Sequence, residues 1–331
     1  MIVHLHKNVS KELALNLAEK YKATFFENGK MVLVTSSKIK LPSDEVKQAA
    51  EEIFITDSDI QLASKQYMPT KREIRIGDLV IGGNSNNSLV ITGPCSVESE
   101  EQIEASAKFC VELGVNVMRA GAYKPRTSPY TFQGLGLEGL KLLDKMRAKY
   151  GLKIITEVRD SSHVNEVIDY ADIVQIGAKS MYDQGILRQC GKTKKPVLLK
   201  RGFGTTLQEF VQAAEFILSG GNPNVILCER GIRTFETKTR FTLDLCGAAW
   251  LKENTNLPVI LDPSHAIGYA YGVPDLARAC MAMAADGLLI ETHPNPKEAK
   301  SDAAQQLNFE EFKNLYASLK KVAEAVGQKV V

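Results

Sequence analysis

Cations, a thiol, an imidazole and several carboxylates recur in this sequence directly after short apolar runs. They are Cys95 in Gly93-Pro94-Cys95, Arg119, Glu157, Lys179 in Gly177-Ala178-Lys179, Lys200-Arg201, Cys228-Glu229-Arg230, His265 in Asp262-Pro263-Ser264-His265, and Glu291 in Glu291-Thr292-His293. Any one of these alone is ordinarily a solvated loop residue or a cap. Their recurrence after nearly every apolar run points to one face built for catalysis. Arg119, Lys124, Arg126, Lys179, Lys200 and Arg230 would repel one another around a common mouth without a polyanion, so the expected substrates carry phosphate and carboxylate groups. Cys95, His265 and Glu291, with Asp302, are a mixed donor set suited to Zn²⁺, Fe²⁺, Mn²⁺ or another first-row ion that keeps a position open for substrate. Lys200 could instead form a Schiff base if its pKa were depressed, but it serves equally well in an anion clamp. His4, His6, His163 and His293 carry less: the first two share a strand face, and the last follows Glu291 by two residues.

The elements that must position these groups follow from periodicity. Apolar strands are expected at 89–92, 116–118, 153–156, 173–176, 197–199, 224–227, 259–261 and 287–290, with a helical stretch between successive copies. Eight such repeats favour a closed (β/α)₈ TIM barrel, whose strands present their carboxyl ends on the active face, over an open parallel sheet. Ahead of them, residues 1–70 read as strand, helix, strand, strand, helix, strand, with Asn28-Gly29 as a hairpin turn; this is the order of a small ferredoxin-like domain. Residues 71–331 form the catalytic unit, with a hairpin at 72–83 that could plug or cap the barrel, and the barrel proper from about residue 89.

With 331 residues and 44% hydrophobic content, the chain can bury a substantial core and is more than a small binding module. Its 41 basic and 39 acidic residues leave a net charge of +2, so no global field draws it to nucleic acid or to a membrane. No secretory or spanning segment is read, and a cytoplasmic location is expected. The six cysteines show no CxxC pair and should be thiols. Nothing resembles GxGxxG after the first strand, a P-loop or a GxSxG elbow, which disfavours dinucleotide, P-loop and α/β-hydrolase chemistry.

The runs Gly93-Pro94-Cys95-Ser96-Val97-Glu98, Arg119-Ala120-Gly121-Ala122-Tyr123-Lys124-Pro125-Arg126-Thr127-Ser128-Pro129-Tyr130, Phe132-Gln133-Gly134, Lys200-Arg201-Gly202, Cys228-Glu229-Arg230-Gly231 and Asp262-Pro263-Ser264-His265 closely resemble 3-deoxy-D-arabino-heptulosonate 7-phosphate (DAHP) synthase. The match is to the type I beta class with an N-terminal ferredoxin-like regulatory domain. That resemblance implies a transferase at the first step of the shikimate pathway, which joins phosphoenolpyruvate, erythrose 4-phosphate and water into the seven-carbon product and phosphate. It implies one divalent metal on Cys95, His265, Glu291 and Asp302. Phosphoenolpyruvate would be held by Arg119, Lys124, Ala178, Lys179, Lys200 and Arg230, and erythrose 4-phosphate by Arg126, Thr127 and Ser128. Lys124, Glu157 and His265 would be catalytic. It further implies a homo-oligomer, most simply a tetramer, and an aromatic amino acid effector on the N-terminal domain.

The related 3-deoxy-D-manno-octulosonate 8-phosphate synthase, which takes arabinose 5-phosphate, carries a different segment where this chain has Lys124-Pro125-Arg126-Thr127. A non-catalytic barrel supporting a chorismate mutase partner is a further alternative, opposed by retention of the metal and anion residues. The chain departs from the family pattern in four places: Lys179 stands where Arg is usual, Ser180-Met181-Tyr182-Asp183 after it differ, residues 266–272 lack the expected Arg and Asp, and Ala303 replaces a Gly.

Overall fold

The computed structural model describes residues 1–124 and 128–331. The first unit runs β1 (Ile2–Leu5), α1 (Lys11–Lys20), β2 (Thr24–Asn28), β3 (Lys30–Val34), α2 (Asp44–Ala49) and β4 (Ala50–Phe54). Its antiparallel sheet has the order β2-β3-β1-β4. Ser10 and Ser43 cap the two helices by accepting the backbone N–H three residues on, as their positions ahead of the apolar stretches predict. Gly29, at φ +70°, makes the turn between β2 and β3. The last strand begins at Ala50, directly after α2, which passes straight into it without a loop.

The hairpin of β5 (Glu73–Ile76) and β6 (Leu79–Gly82) leads into the barrel. The barrel strands are β7 (Asn87–Gly93), β8 (Val117–Arg119), β9 (Lys153–Val158), β10 (Ile173–Ile176), β11 (Val197–Lys200), β12 (Val225–Glu229), β13 (Val259–Leu261) and β14 (Gly287–Glu291). Between them stand α3 (Glu100–Leu113), α4 (Leu137–Tyr150), α5 (Val164–Tyr170), α6 (Gln184–Lys192), α7 (Leu207–Leu218), α8 (Leu245–Asn254), α9 (Pro263–Ile267) and α10 (Val273–Ala282). After them come α11 (Phe309–Ala325) and a short β15 (Lys329–Val330) beside β7. All eight barrel strands are parallel to their neighbours, and β14 pairs with β7 from Gly287↔Leu89 to Glu291↔Gly93, which closes the barrel. Closure was the point that periodicity alone left open.

Strand parity decides what lies inside. Leu89, Ile91, Val117, Ile155, Ile173, Leu198, Ile226, Cys228, Ile260 and Leu289 fill the barrel's interior, and Ile74, Ile76 and Ile81 of the hairpin join the same buried cluster. The hairpin is therefore the barrel's floor. Intervening residues such as Val90, Ile154, Val174 and Leu199 face the helices in the larger outer cluster. Continuing the inward parity upward puts Arg119, Glu157, Gln175, Lys200, Arg230, Asp262 and Glu291 above this apolar plug.

The N-terminal sheet is fastened to the barrel near α7. Glu215 of α7 accepts the backbone N–H groups of Gln61 (2.7 Å), Leu62 (3.1 Å) and Ala63 (2.8 Å). The chain's own amino group donates to Gln61 Oε1 at 2.7 Å. Burial pushes the Glu215 carboxyl up to about 7, against the opposing pull of these donors and Arg72. Between pH 4.5 and 7 the folded chain then holds a proton that the unfolded chain has lost, so this group makes stability fall as pH rises through that window. We expect wild type to lose about 3 kcal/mol relative to Glu215→Gln between pH 4 and pH 8 in urea unfolding. Parallel stability curves for the two proteins would contradict this assignment.

Candidate active site

The carboxyl ends of the strands surround a cavity of about 340 Å³, lined by Lys124, Glu157, Ala178, Lys179, Lys200, Phe203, Arg230, Arg233, Arg240, Phe241, His265 and Asp302. One end of it is anion-seeking. Lys200 Nζ donates to Asp262 Oδ2 at 2.8 Å, a buried ion pair that a Schiff-base nucleophile would have to give up. The Arg230 guanidinium lies 4.4 Å from the Phe241 ring centre, and its buried Nε and Nη1 have no hydrogen-bond partner among the described residues. An arginine held over an aromatic ring with buried donors unsatisfied is prepared for an oxyanion. Glu157 also reaches the cavity, its Oε2 accepting from Gln175 Nε2 at 2.5 Å.

The other end is metal-seeking. Single donor atoms of Cys95, Glu291 and Asp302 all lie within 4.8 Å of one another, a group that could hold a metal ion. His265 Nε2 is 3.5 Å from Glu291 Oε1 and 3.9 Å from Asp302 Oδ2, and so borders the same space. Soft thiol, imidazole and hard carboxylate oxygens together fit a first-row divalent cation. Burial, helped by Glu291, pushes the Cys95 thiol up to about 12, so metal binding must displace its proton. Burial also lowers the His265 pKa, despite Asp262 and Glu291, which favours the neutral imidazole that ligates metals. For Asp302, burial works upward, but His265, Arg240 and Lys124 outweigh it and hold the carboxyl below its usual range.

Local sequence explains how these groups are presented. Asp262 caps α9, its Oδ1 accepting from His265 N at 3.0 Å, and Pro263 opens the helix where no N–H is needed. His265 therefore sits in a fixed first turn, with Nδ1 2.8 Å from Asp262 Oδ2. Ser264 Oγ accepts from Glu291 N at 3.0 Å, tying the same turn to β14. Gly93 is required before Cys95: its φ is +138°, and a methyl there would stand 2.2 Å from the Arg119 carbonyl oxygen. Gly93→Ala should cost about 3 kcal/mol or more in urea unfolding, since β7 would have to leave β8. A loss below 1 kcal/mol would show that the strand end is not fixed in this way.

The other expected residues stand around this cavity or beyond it. Arg119 is 2% exposed and does not line the cavity; its Nη1 donates to Glu291 and, at 3.1 Å, to the Pro94 carbonyl. Lys124 Nζ faces the thiol, 3.2 Å from Cys95 Sγ and 3.1 Å from Cys95 O. Arg126 and Thr127 lie outside the described residues, and Ser128, on the loop after β8, is not part of the cavity lining. Cys246 is exposed, whereas the other five cysteines are buried; all six are free thiols.

Sequence reasoning missed a supporting layer. Gln305 Nε2 donates to Glu291 Oε2 at 2.6 Å, Gln306 Oε1 accepts from Cys95 N at 3.0 Å, and Ser301 Oγ lies 3.0 Å from Cys95 Sγ. Arg240, from the loop between β12 and α8, reaches Asp302 Oδ1 at 3.3 Å and Gln305 Oε1 at 2.7 Å. A cation thus arrives beside the segment 266–272, which carries none of its own; Gly268, φ +77°, leaves room for it to pack there.

The model of the DAHP synthetase I family matches residues 59–328. The chain belongs to the DAHP synthetase I family. A phospho-2-dehydro-3-deoxyheptonate aldolase of Thermotoga maritima is 47% identical over 270 residues, covering 82% of this chain and 79% of that one. A 2-dehydro-3-deoxyphosphooctonate aldolase of Syntrophotalea carbinolica is 32% identical, covering 72% and 92%. Among solved structures, a crystal structure of the DAHP synthase of Thermotoga maritima covers 100% of this chain and 99% of its own, with a TM-score of 0.81 at 40% identity. A truncated form of 3-deoxy-D-arabino-heptulosonate 7-phosphate synthase from the same organism covers 83% and 100%, with a TM-score of 0.77. This membership agrees with the motif resemblance and with the (β/α)₈ barrel. Among the described residues, no helix is long and apolar enough to cross a membrane.

Proposed function

We propose that this member of the DAHP synthetase I family condenses phosphoenolpyruvate with erythrose 4-phosphate and water, giving 3-deoxy-D-arabino-heptulosonate 7-phosphate and phosphate. The observation that carries the reading is the meeting of two donor sets at one cavity: His265 and Asp302 line it, with Cys95 and Glu291 grouped against Asp302, and Lys179, Lys200 and Arg230 line the same space. Cys95, His265, Glu291 and Asp302 would hold one divalent cation, which when bound supplies Lewis acidity to the sugar aldehyde. Lys200, Arg230 and Lys179, beside Ala178, bind the phosphate and carboxylate of phosphoenolpyruvate, with Arg119 contributing charge from behind Glu291. Arg126, Thr127 and Ser128 take the sugar phosphate.

Residue chemistry then follows the electrons. The C3 carbon of phosphoenolpyruvate attacks the aldehyde carbon, and the aldehyde oxygen needs a proton. Lys124 is raised above its ordinary pKa because Cys95 and Glu157 outweigh the opposing effect of burial; it holds that proton and delivers it to the new hydroxyl. Positive charge develops at C2, where water adds on the side of Glu157. Glu157 orients that water and accepts one of its protons; the C2–O bond to phosphate then breaks as the remaining C2 hydroxyl passes its proton to the departing phosphate and becomes the C2 carbonyl. Residues 1–70 serve as a ferredoxin-like regulatory domain that binds an aromatic amino acid, residues 71–331 form the catalytic unit, and the working assembly is a cytoplasmic homotetramer.

Removal of metal by chelation, followed by return of one divalent ion at a time, tests the core of this reading through consumption of phosphoenolpyruvate with erythrose 4-phosphate present. Turnover should vanish on chelation and return with Mn²⁺, Fe²⁺, Zn²⁺ or a similar ion. Full turnover in chelated protein would sink it.

A further inference from the structure

Glu98 lies outside the cavity, three residues beyond Cys95, and the reaction gives it no task. Its side chain is nevertheless only 7% exposed, and its partners come from its own loop after β7 and from two points on the connection between β14 and α11. Oε1 accepts from Ser96 Oγ at 3.1 Å and from the backbone N–H of Lys300 at 2.9 Å. Oε2 faces His293 Nε2 at 3.6 Å. The other imidazole nitrogen, Nδ1, accepts from Asn295 N at 3.0 Å, so Nε2 is the atom that carries the proton toward the carboxylate. Among the described residues, that buried Nε2 has no hydrogen-bond partner, and the Glu98 carboxylate is the acidic group facing it.

Each of these contacts is one or two residues from a candidate metal ligand. Ser96 follows Cys95, His293 is two residues past Glu291, and Lys300 is two residues before Asp302. The Lys300 tie matters most for Asp302, which is a non-glycine residue held at φ +48°. Asp visits that region more readily than most non-glycine residues, but it remains a minor conformation that the surroundings must hold. We infer that the Glu98 carboxylate is a positioning residue that ties the Cys95 loop after β7 to the connection that leaves β14 at Glu291 and carries Asp302, and thereby sets the affinity of the site for its metal. This rests on the metal reading above. Preorganised ligands bind a cation without first ordering their loops, and losing such an outer-shell tie typically weakens metal binding by about 10- to 100-fold.

The test is titration of chelator-treated full-length protein with Co²⁺, read by the thiolate-to-cobalt charge-transfer band. Glu98→Ala should raise the Co²⁺ Kd by about 10-fold or more, while the band at saturation and the melting temperature of metal-free protein stay close to wild type. Glu98→Gln, which keeps an acceptor for Ser96 and the Lys300 N–H, should restore most of the affinity. His293→Asn, which removes the imidazole and leaves the carboxylate, should also weaken binding. Glu98→Ala and His293→Asn both binding Co²⁺ within twofold of wild type would overturn the inference and leave the metal reading standing. Absence of the band in wild type would overturn both.

Discussion

Cys95→Ser should lose more than ~100-fold in turnover at one equivalent of metal, with the fold intact. The substitution is nearly isosteric in a fully buried site, and a serine hydroxyl can still meet Ser301, Asp302 and Lys124, so little packing is lost. What disappears is the thiolate, the softest donor of the set, and a buried hydroxyl does not ionise in its place. Calorimetry separates this from a general defect. Because the Cys95 thiol is pushed up to about 12, wild type must release about one proton on binding metal near neutral pH. Cys95→Ser should release fewer, by about one. Apparent affinity in wild type should also rise with pH, since a proton competes with the metal for the same sulfur. A serine variant with wild-type turnover and unchanged proton release would remove Cys95 from the metal site.

Arg230 carries the second large effect. Its guanidinium is clamped over Phe241 with two buried nitrogens unpaired among the described residues, so its hydrogen-bonding capacity is reserved for ligand. Arg230→Ala should lower kcat/KM for phosphoenolpyruvate by about 1000-fold, and Arg230→Lys by about 10- to 100-fold, because an ammonium keeps the charge and loses the planar fork. The erythrose 4-phosphate KM should move much less. A loss below tenfold in the alanine variant would mean that the anion sits elsewhere.

Much of this site was legible because barrel strands alternate strictly. Once Leu198 or Leu289 is read as inward, the next inward position is where Lys200 and Glu291 must emerge, and the count from Leu89 and Ile91 runs through Gly93 to Cys95 just past the strand end. Gln175 obeys the same parity and was missed, since an amide draws less attention than a charge. Ser301, Gln305, Gln306 and Arg240 were beyond reach for a different reason: they come from irregular loops, and no period relates a loop residue to its neighbour in space. Arg119 shows a further limit. Its strand end was read correctly, yet whether its fork meets substrate or Glu291 depends on side-chain geometry that parity does not specify. The N-terminal element order was readable from caps and the Asn28-Gly29 turn, whereas its attachment through Glu215 depends on residues more than 150 positions apart.

The most direct measurement offers phosphoenolpyruvate to the metal-loaded protein with erythrose 4-phosphate or arabinose 5-phosphate in separate reactions, and follows sugar-acid product and phosphate together. We predict one phosphate released per seven-carbon product, with kcat/KM for erythrose 4-phosphate at least ~100-fold above that for arabinose 5-phosphate. Equal or better use of arabinose 5-phosphate, or no phosphate release with either aldose, would contradict the account.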